Sequence, residues 1–144
     1  MLTISPDIRQ KLKTRLLVEE GYKQFPYTDS TGHLTIVIGR NLEKVGISLD
    51  EALYMLDDDL MSVERNLWHY CAFYSALSEI RKSVLVDIAF NMGIRTVLDF
   101  KEMISCIEKQ DYEGAAKAMM NSEWAKQVGN RASKLALIME TGEL

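Results

Sequence analysis

The sequence predicts an α+β fold made of one helix, a small β-lobe, a long helix and a helical lobe. Three observations predict it: a capped apolar stripe of helical period over residues 49–67, an alternating segment at residues 34–38, and short helical segments after residue 79. The chain has 144 residues, of which 47% are hydrophobic and 26% charged. These values are typical of one globular domain, so we expect a single domain over residues 1–144.

The first helix is predicted over residues 5–20. Ser5 is a favourable N-cap, Pro6 suits the first helical position, and Asp7 places a negative charge in the first turn. Apolar residues at helical spacing follow and stop before Gly21, which therefore marks the predicted end of the helix.

A β-lobe is predicted over about residues 21–47. Pro26 and the turn-forming cluster Asp29–Gly32 interrupt a segment rich in aromatic and β-branched residues. In the stretch that follows, the alternation directs Leu34, Ile36 and Ile38 to one face and Thr35 and Val37 to the other.

The long helix is predicted over about residues 49–67 and connects the β-lobe to the rest of the chain. Ser48 and Glu51 form a capping-box pattern at its start. The helical lobe is expected at about residues 68–144, together with the N-terminal helix. Its predicted helices cover residues 79–92, 97–108, 112–120, 122–127 and 130–141, with Asp111, Ser122 and Asn130 as candidate caps.

Composition and charge disfavour several classes of function. The net charge is −4, and no basic run is present, so no nucleic-acid partner is expected. No apolar segment has the length of a membrane span or the position of a secretory signal, so neither a stable membrane insertion nor a signal peptide is expected. Cys71 and Cys106, like His33 and His69, lack the spacing of a metal site, and no metal is expected.

Two carboxylates and a hydroxyl are the candidates for chemistry. Glu20 lies at the C-terminal end of the first helix, where the helix dipole disfavours the charged form, as suits a general acid. Asp29 lies nine residues further, in the turn before the alternating strand, and Thr35 six residues after it. Each also has an ordinary structural explanation: a surface helix residue, a turn residue and a strand former.

The same residues carry a family resemblance that extends over nearly the whole chain. Glu20-Gly21, Asp29 and the segment Thr35–Arg40 resemble the E-G…D…T-I-G-x-G motif of phage-type lysozymes, the endolysin muramidases of glycoside hydrolase family 24. Four further segments resemble family motifs in the same order: Phe90–Gly93, Ser122–Trp124, Gly129–Ala132 and Thr141-Gly142.

The resemblance implies a mainly helical two-lobe lysozyme fold with a small antiparallel β-lobe and a substrate cleft between the lobes. It implies a muramidase that cleaves the β-1,4 bond between N-acetylmuramic acid and N-acetylglucosamine in peptidoglycan. Glu20 would be the general acid, while Asp29 and Thr35 would position the attacking water. Direct attack by water implies inversion and a carboxylate separation of roughly 6.5–9.5 Å.

Further residues are assigned by the same resemblance. Asn91, Asn130 and Trp124 are candidates for substrate binding, although core packing explains Trp124 equally well. Arg40 and Asp59 are a candidate ion pair; if they pair, they tie the β-lobe to the long helix, which would be a structural role.

Two departures from the family pattern affect the expected activity. Val37 stands where the family usually has Gly. On an extended strand, a β-branched residue there would leave stability unchanged but project towards the attacking water, so reduced activity is expected. The second departure is the negative net charge, because a basic lysozyme is favoured in its encounter with anionic cell walls.

Two alternative functions remain, and the family also implies where and in what form the protein acts. The chain could be a catalytically weakened wall-binding or virion structural protein with a lysozyme fold, or a lytic transglycosylase. For a phage endolysin, the family implies a monomer that needs no cofactor and accumulates in the host cytoplasm. It would reach the cell wall through a pore made by a separate holin. The free thiols expected at Cys71 and Cys106 suit a reducing compartment.

Overall fold

The computed structural model describes residues 4–144 and confirms the α+β fold. Within this range there are eight α-helices and one antiparallel sheet of three strands in the order β1-β2-β3. The strands are β1 Lys23–Thr28, β2 Leu34–Val37 and β3 Arg40–Asn41. The helices are α1 Pro6–Glu20, α2 Leu49–Tyr70, α3 Glu79–Met92, α4 Ile94–Asp99, α5 Lys101–Glu108, α6 Tyr112–Met120, α7 Glu123–Val128 and α8 Asn130–Thr141.

The chain divides into two compact units, of which the first ends at Leu53 and the second covers Tyr54–Leu144. The assignment of all 144 residues to a single domain stays a prediction. None of the described helices is long and apolar enough to cross a membrane.

In the first unit, the predicted caps are confirmed at both helix starts. The Ser5 hydroxyl accepts a hydrogen bond from the Ile8 N–H at 3.4 Å and caps α1. Ser48 and Glu51 form the reciprocal capping box at the start of α2: the Ser48 N–H donates to Glu51 Oε2 at 2.9 Å, and the Glu51 N–H donates to Ser48 Oγ at 3.3 Å.

The sheet of the first unit is a short meander with an irregular first pair. Lys23 lies opposite Val37 and Tyr27 lies opposite Thr35, so β1 has two more residues than β2 between these pairs. Such a bulge bends the strand that contains it. β2 and β3 pair regularly, with Ile36 opposite Arg40, and the turn between them is correspondingly tight.

The second unit contains the hydrophobic core, whose buried apolar residues run from Leu67 to Met139. Arg81, in α3, contacts two other helices of this unit, α6 and α8. The Arg81 Nε–H donates to the carbonyl oxygen of Met139 at 2.8 Å, and its guanidinium stacks 3.6 Å from the centre of the Tyr112 ring. These contacts satisfy a carbonyl group at the C-terminal end of α8 that has no partner within the helix.

Three details of the predicted helices are wrong. α2 extends to Tyr70, beyond the predicted end at residue 67. The single helix predicted over residues 97–108 is two helices, α4 and α5, because Phe100 between them has non-helical torsion angles. Asn130 is not a cap: the N-cap of α8 is Gly129, and Asn130 is the first helical residue. The caps Asp111 and Ser122 are confirmed by their side-chain hydrogen bonds.

Candidate active site

Glu20 is the last residue of α1, and its side chain is exposed. The helix ends there because Gly21 adopts a φ of 72°, a conformation that a side chain would disfavour. The Glu20 carboxylate lies beside the turn between β2 and β3, where a Cβ added at Gly39 would be 3.5 Å from Oε2. The carboxylate of the proposed general acid therefore lies at van der Waals distance from the turn at Gly39, where the φ of 69° favours glycine.

Asp29 lies in the turn between β1 and β2, and its side chain holds this turn together. Its Oδ1 accepts three hydrogen bonds: from the Thr31 N–H at 2.8 Å, the Thr31 hydroxyl at 2.7 Å and the His33 N–H at 2.9 Å. The Asp29 N–H also donates to the carbonyl oxygen of His33 at 2.9 Å. Turn and carboxylate thus stabilise each other through bonds that all lie within five consecutive residues.

These hydrogen bonds lower the pKa of Asp29 from 3.8 to about 2. The largest cause is the bond from the His33 N–H, followed by the Thr31 hydroxyl, while partial burial opposes them. Hydrogen bonds to the charged form stabilise it, so Asp29 is an ionised carboxylate at neutral pH. It can accept a hydrogen bond or stabilise positive charge, but it has no proton to donate.

Thr35 is buried, with 3% of its surface exposed, and it directs its hydroxyl towards Asp29. Thr35 Oγ1 lies 3.0 Å from the carbonyl oxygen of His33 and 3.3 Å from Asp29 Oδ2. A hydroxyl has one proton, so it donates to one of these acceptors at a time. When it donates to the carbonyl, both Asp29 Oδ2 and the Thr35 oxygen can accept hydrogen bonds from a water molecule.

The structure corrects the expectation for Val37. Its φ is 54°, in the left-handed region, so it does not continue the extended alternation of β2 that places Thr35. This backbone conformation is a genuine outlier for a β-branched residue and costs roughly 1–2 kcal/mol. The prediction that Val37 leaves stability unchanged is therefore wrong, because it assumed an extended strand at this position.

Arg40 pairs with Glu51, whereas the sequence predicted Asp59 as its partner. The two guanidinium N–H groups of Arg40 bind both oxygens of Glu51, one of them at 2.9 Å, and one also donates to the carbonyl oxygen of Gly46 at 3.1 Å. Bonds from the Ser48 backbone and side chain, and then the charge of Arg40, lower the pKa of Glu51. Glu51 can cap α2 and bind Arg40 at once, so its position in the first turn of α2 favours it as the partner.

The three predicted substrate-binding residues belong to the second unit. Asn91 and Asn130 are exposed, near the end of α3 and at the start of α8. Trp124 is only 4% exposed and packs edge-to-face on Phe100, with 5.7 Å between ring centres. It also lines a cavity of about 300 Å³ together with Met92 and other residues. Trp124 is therefore part of the core, and a contact between any of these residues and sugar stays a prediction.

Sequence reasoning missed two residues that contact Asp29. Thr31 donates through its hydroxyl to Asp29, and His33 contributes its backbone N–H and a ring nitrogen 2.8 Å from the Thr31 hydroxyl. A signal was present, because a hydroxyl residue two positions after an aspartate is well placed for a local side-chain hydrogen bond.

Comparisons with known proteins establish the family of the chain. The phage lysozyme family model matches residues 18–138. Two relatives from Dictyostelium discoideum, "Probable T4-type lysozyme 1" and "Probable T4-type lysozyme 2", are 32% and 28% identical; each match covers 92% of this chain and 95% of the relative. The "Pre-baseplate central spike protein Gp5" of Enterobacteria phage T4 is 28% identical over 88% of this chain but only 27% of its own length. The chain therefore belongs to the phage lysozyme family and is a glycoside hydrolase of the lysozyme type.

Proposed function

We propose that this enzyme hydrolyses the β-1,4 bond between N-acetylmuramic acid and N-acetylglucosamine in peptidoglycan. Family membership supports a muramidase-type activity. The observation that supports the residue assignment is the unequal use of the two Asp29 oxygens: Oδ1 accepts three short hydrogen bonds, whereas Oδ2 has one contact of 3.3 Å with Thr35. A carboxylate held by one oxygen and open at the other is suited to bind water.

In the proposed reaction, Glu20 gives its proton to the glycosidic oxygen as the bond between that oxygen and the anomeric carbon breaks. A water molecule attacks the same carbon from the opposite face of the sugar. The ionised Asp29 stabilises the positive charge of the transition state and accepts a hydrogen bond from the water through Oδ2. As the new bond between carbon and the water oxygen forms, the water gives one proton to Asp29 Oδ2, while its other O–H group donates a hydrogen bond to the Thr35 oxygen, so the water lone pair can face the sugar.

This assignment is tested by following the loss of turbidity of chloroform-treated Gram-negative cells. We expect Glu20→Gln to reduce the lysis rate by about 10²–10⁴-fold, the usual contribution of a general acid. Glu19→Gln is the matched control, because it removes the adjacent exposed carboxylate from the same helix. If Glu20→Gln lyses cells as fast as the control, Glu20 is not the general acid.

The stereochemistry of the product tests the role of the water. Direct attack by water inverts the anomeric carbon, so the first product of a β-linked substrate is the α-anomer, which proton NMR detects before mutarotation. A β-anomer would instead indicate a covalent intermediate and a nucleophilic role for Asp29. A product lighter by one water molecule would indicate a lytic transglycosylase.

A second candidate function is a wall-binding module with weakened catalysis, as in a virion structural protein. The strained backbone at Val37, next to the proposed site, and the similarity to a phage spike protein favour it. Folded wild-type protein that binds purified peptidoglycan in a pelleting assay but does not lyse cells would support this candidate over the muramidase.

A further inference from the structure

A chain of hydrogen bonds connects the His33 ring to Asp29 through the Thr31 hydroxyl. His33 Nδ1 lies 2.8 Å from Thr31 Oγ1, which in turn lies 2.7 Å from Asp29 Oδ1. His33 Nδ1 is itself 3.9 Å from Oδ1, too far for a direct hydrogen bond. The imidazole can therefore act on the carboxylate only through Thr31 or through its charge.

The direction of this chain follows from counting protons. Thr31 has one hydroxyl proton, and an ionised Asp29 can only accept, so the hydroxyl donates to Oδ1. Thr31 Oγ1 must then accept from His33, which requires a proton on Nδ1. Neutral His33 is thereby held in the Nδ1–H tautomer, and the protonated form keeps the same donor. The chain therefore has the same direction in both charge states of His33.

We propose that His33 is a positioning residue for Asp29: through the Thr31 hydroxyl, it keeps Oδ1 occupied and leaves Oδ2 free for the reacting water. This inference rests on the proposed role of Asp29 in the muramidase reaction. The two backbone donors of the turn bind Oδ1 from the main chain alone, and the Thr31 hydroxyl is the only side-chain donor to that oxygen among the described residues. Without His33, this hydroxyl is free to rotate away.

Side-chain orientation at a reacting centre has a large effect on rate, because small displacements reduce the population of reactive geometries. Loss of the Thr31 or the His33 side chain is therefore expected to lower kcat about three- to tenfold while KM stays nearly unchanged. The turn itself remains, since its backbone hydrogen bonds to Asp29 do not involve these side chains.

The first test is nitrogen-15 NMR of the histidine ring in the full-length protein. We expect neutral His33 to carry its proton on Nδ1, to lose this preference in Thr31→Val and to keep it in Thr31→Ser. In the same samples, the carboxyl titration of Asp29 should move from about 2 towards the ordinary 3.8 in Thr31→Val. Neutral His33 protonated on Nε2 in the wild type would overturn the proposal, because the Thr31 proton would then be directed towards the ring.

The second test is the turbidity assay with a set of paired variants. Thr31→Val and His33→Leu should lower kcat. Thr31→Ser should keep most of the wild-type kcat because it keeps the hydroxyl, and His33→Asn should do so because the asparagine amide nitrogen can replace Nδ1 as the donor. Thr28→Val, which removes a hydroxyl from the residue before Asp29, is the matched control and should leave kcat unchanged. Full kcat in both Thr31→Val and His33→Leu would overturn the proposal.

The proposed function and this inference fail in different ways. If Asp29→Asn lyses cells like the wild type, Asp29 has no role in the reaction and its assignment in the proposed function fails, whatever the NMR shows. If Asp29→Asn is inactive but the Thr31 and His33 variants keep both full kcat and an unchanged Asp29 titration, only the positioning role fails.

Discussion

The two turns that flank β2 are stabilised in opposite ways. In the turn between β1 and β2, the Asp29 carboxylate accepts hydrogen bonds from Thr31 and His33, so the side chains favour the conformation that the backbone adopts. Where β2 leads into the turn before β3, Val37, the last residue of the strand, has a φ of 54°, and Gly39 in the turn has a φ of 69°. The glycine suits this conformation, whereas the valine opposes it.

The difference shows how the two proposed catalytic carboxylates can be positioned by different means. Asp29 is held by its own turn, so its position depends on local residues that satisfy one another. Glu20 is positioned by the end of α1 and lies beside the second turn, at Gly39. Variants of the first turn should therefore act mainly on chemistry, and variants of the second mainly on stability.

Asp29→Asn gives the largest effect expected from the first turn. The amide oxygen can replace Oδ1 and keep the turn folded, while the negative charge and the second acceptor are lost. We expect the lysis rate to fall by about 10²–10³-fold in the turbidity assay, together with a lower Tm at neutral pH, because the hydrogen bonds of the turn stabilise the charged carboxylate. Asp57→Asn, which makes the same change of charge on α2, is the control. An unchanged Tm for Asp29→Asn would mean that the amide oxygen accepts these hydrogen bonds as well as the carboxylate does, which would contradict the low pKa of Asp29.

Val37→Gly tests the second turn. Relief of the left-handed conformation, less the greater chain entropy that glycine loses on folding, should stabilise the protein by about 1 kcal/mol, a rise of roughly 3 °C in Tm. Ile36→Gly, one residue earlier in the paired part of β2, should instead lower Tm. If Val37 also crowds the water site, Val37→Gly will lyse cells faster; an unchanged rate would show that its side chain does not affect the reaction.

The dependence of stability on pH tests the first turn, which contains Asp29. The pKa of Asp29 is about 2 in the folded protein and ordinarily 3.8, so its stabilising effect is complete above pH 3.8 and is lost as the pH falls towards 2. We expect the wild-type Tm to fall more steeply over this range than that of Asp29→Asn. Equal slopes for the two proteins, measured by thermal denaturation, would contradict the low pKa.

Arg40→Lys should have the smallest effect. Lysine keeps the charge but cannot bind both oxygens of Glu51, and the pair is partly exposed, so we expect a loss of about 0.5 kcal/mol in urea denaturation. Asp59→Asn serves as the comparison, because the sequence predicted Asp59 as the partner. If Asp59→Asn destabilises the protein more than Arg40→Lys does, the ion pair of Arg40 with Glu51 is not the one that stabilises the protein in solution.

Several helix starts were predictable from the sequence because their signals are local. Ser5, Ser48, Asp111 and Ser122 each cap the helix that they were predicted to cap, through a bond to a backbone N–H three residues away. The break at Phe100 was not predictable in this way, because its buried side chain contacts Trp124, which is distant in sequence.

The candidate site was likewise predictable only where its signals are local in the sequence or belong to the family motif. The turn at Asp29 could be inferred from residues 29–32, and the family motif identifies Glu20 and Thr35. The conformation of Val37 could not be inferred, because strand pairing sets it against the preference of the residue itself. The partner of Arg40 depends on which carboxylate the fold brings near, and the sequence analysis considered only Asp59 for this role.

The hydrogen bonds around Asp29 have a consequence for the order of folding. None of them joins residues more than six positions apart, whereas Arg81 bonds to a carbonyl group 58 positions away. Short loops close quickly, and hairpins form within about 1–10 μs, so this turn can form before the helical core is assembled. The proposed water-binding carboxylate would then be in place early in folding, and a destabilised core would reduce the amount of folded enzyme without altering the geometry around Asp29.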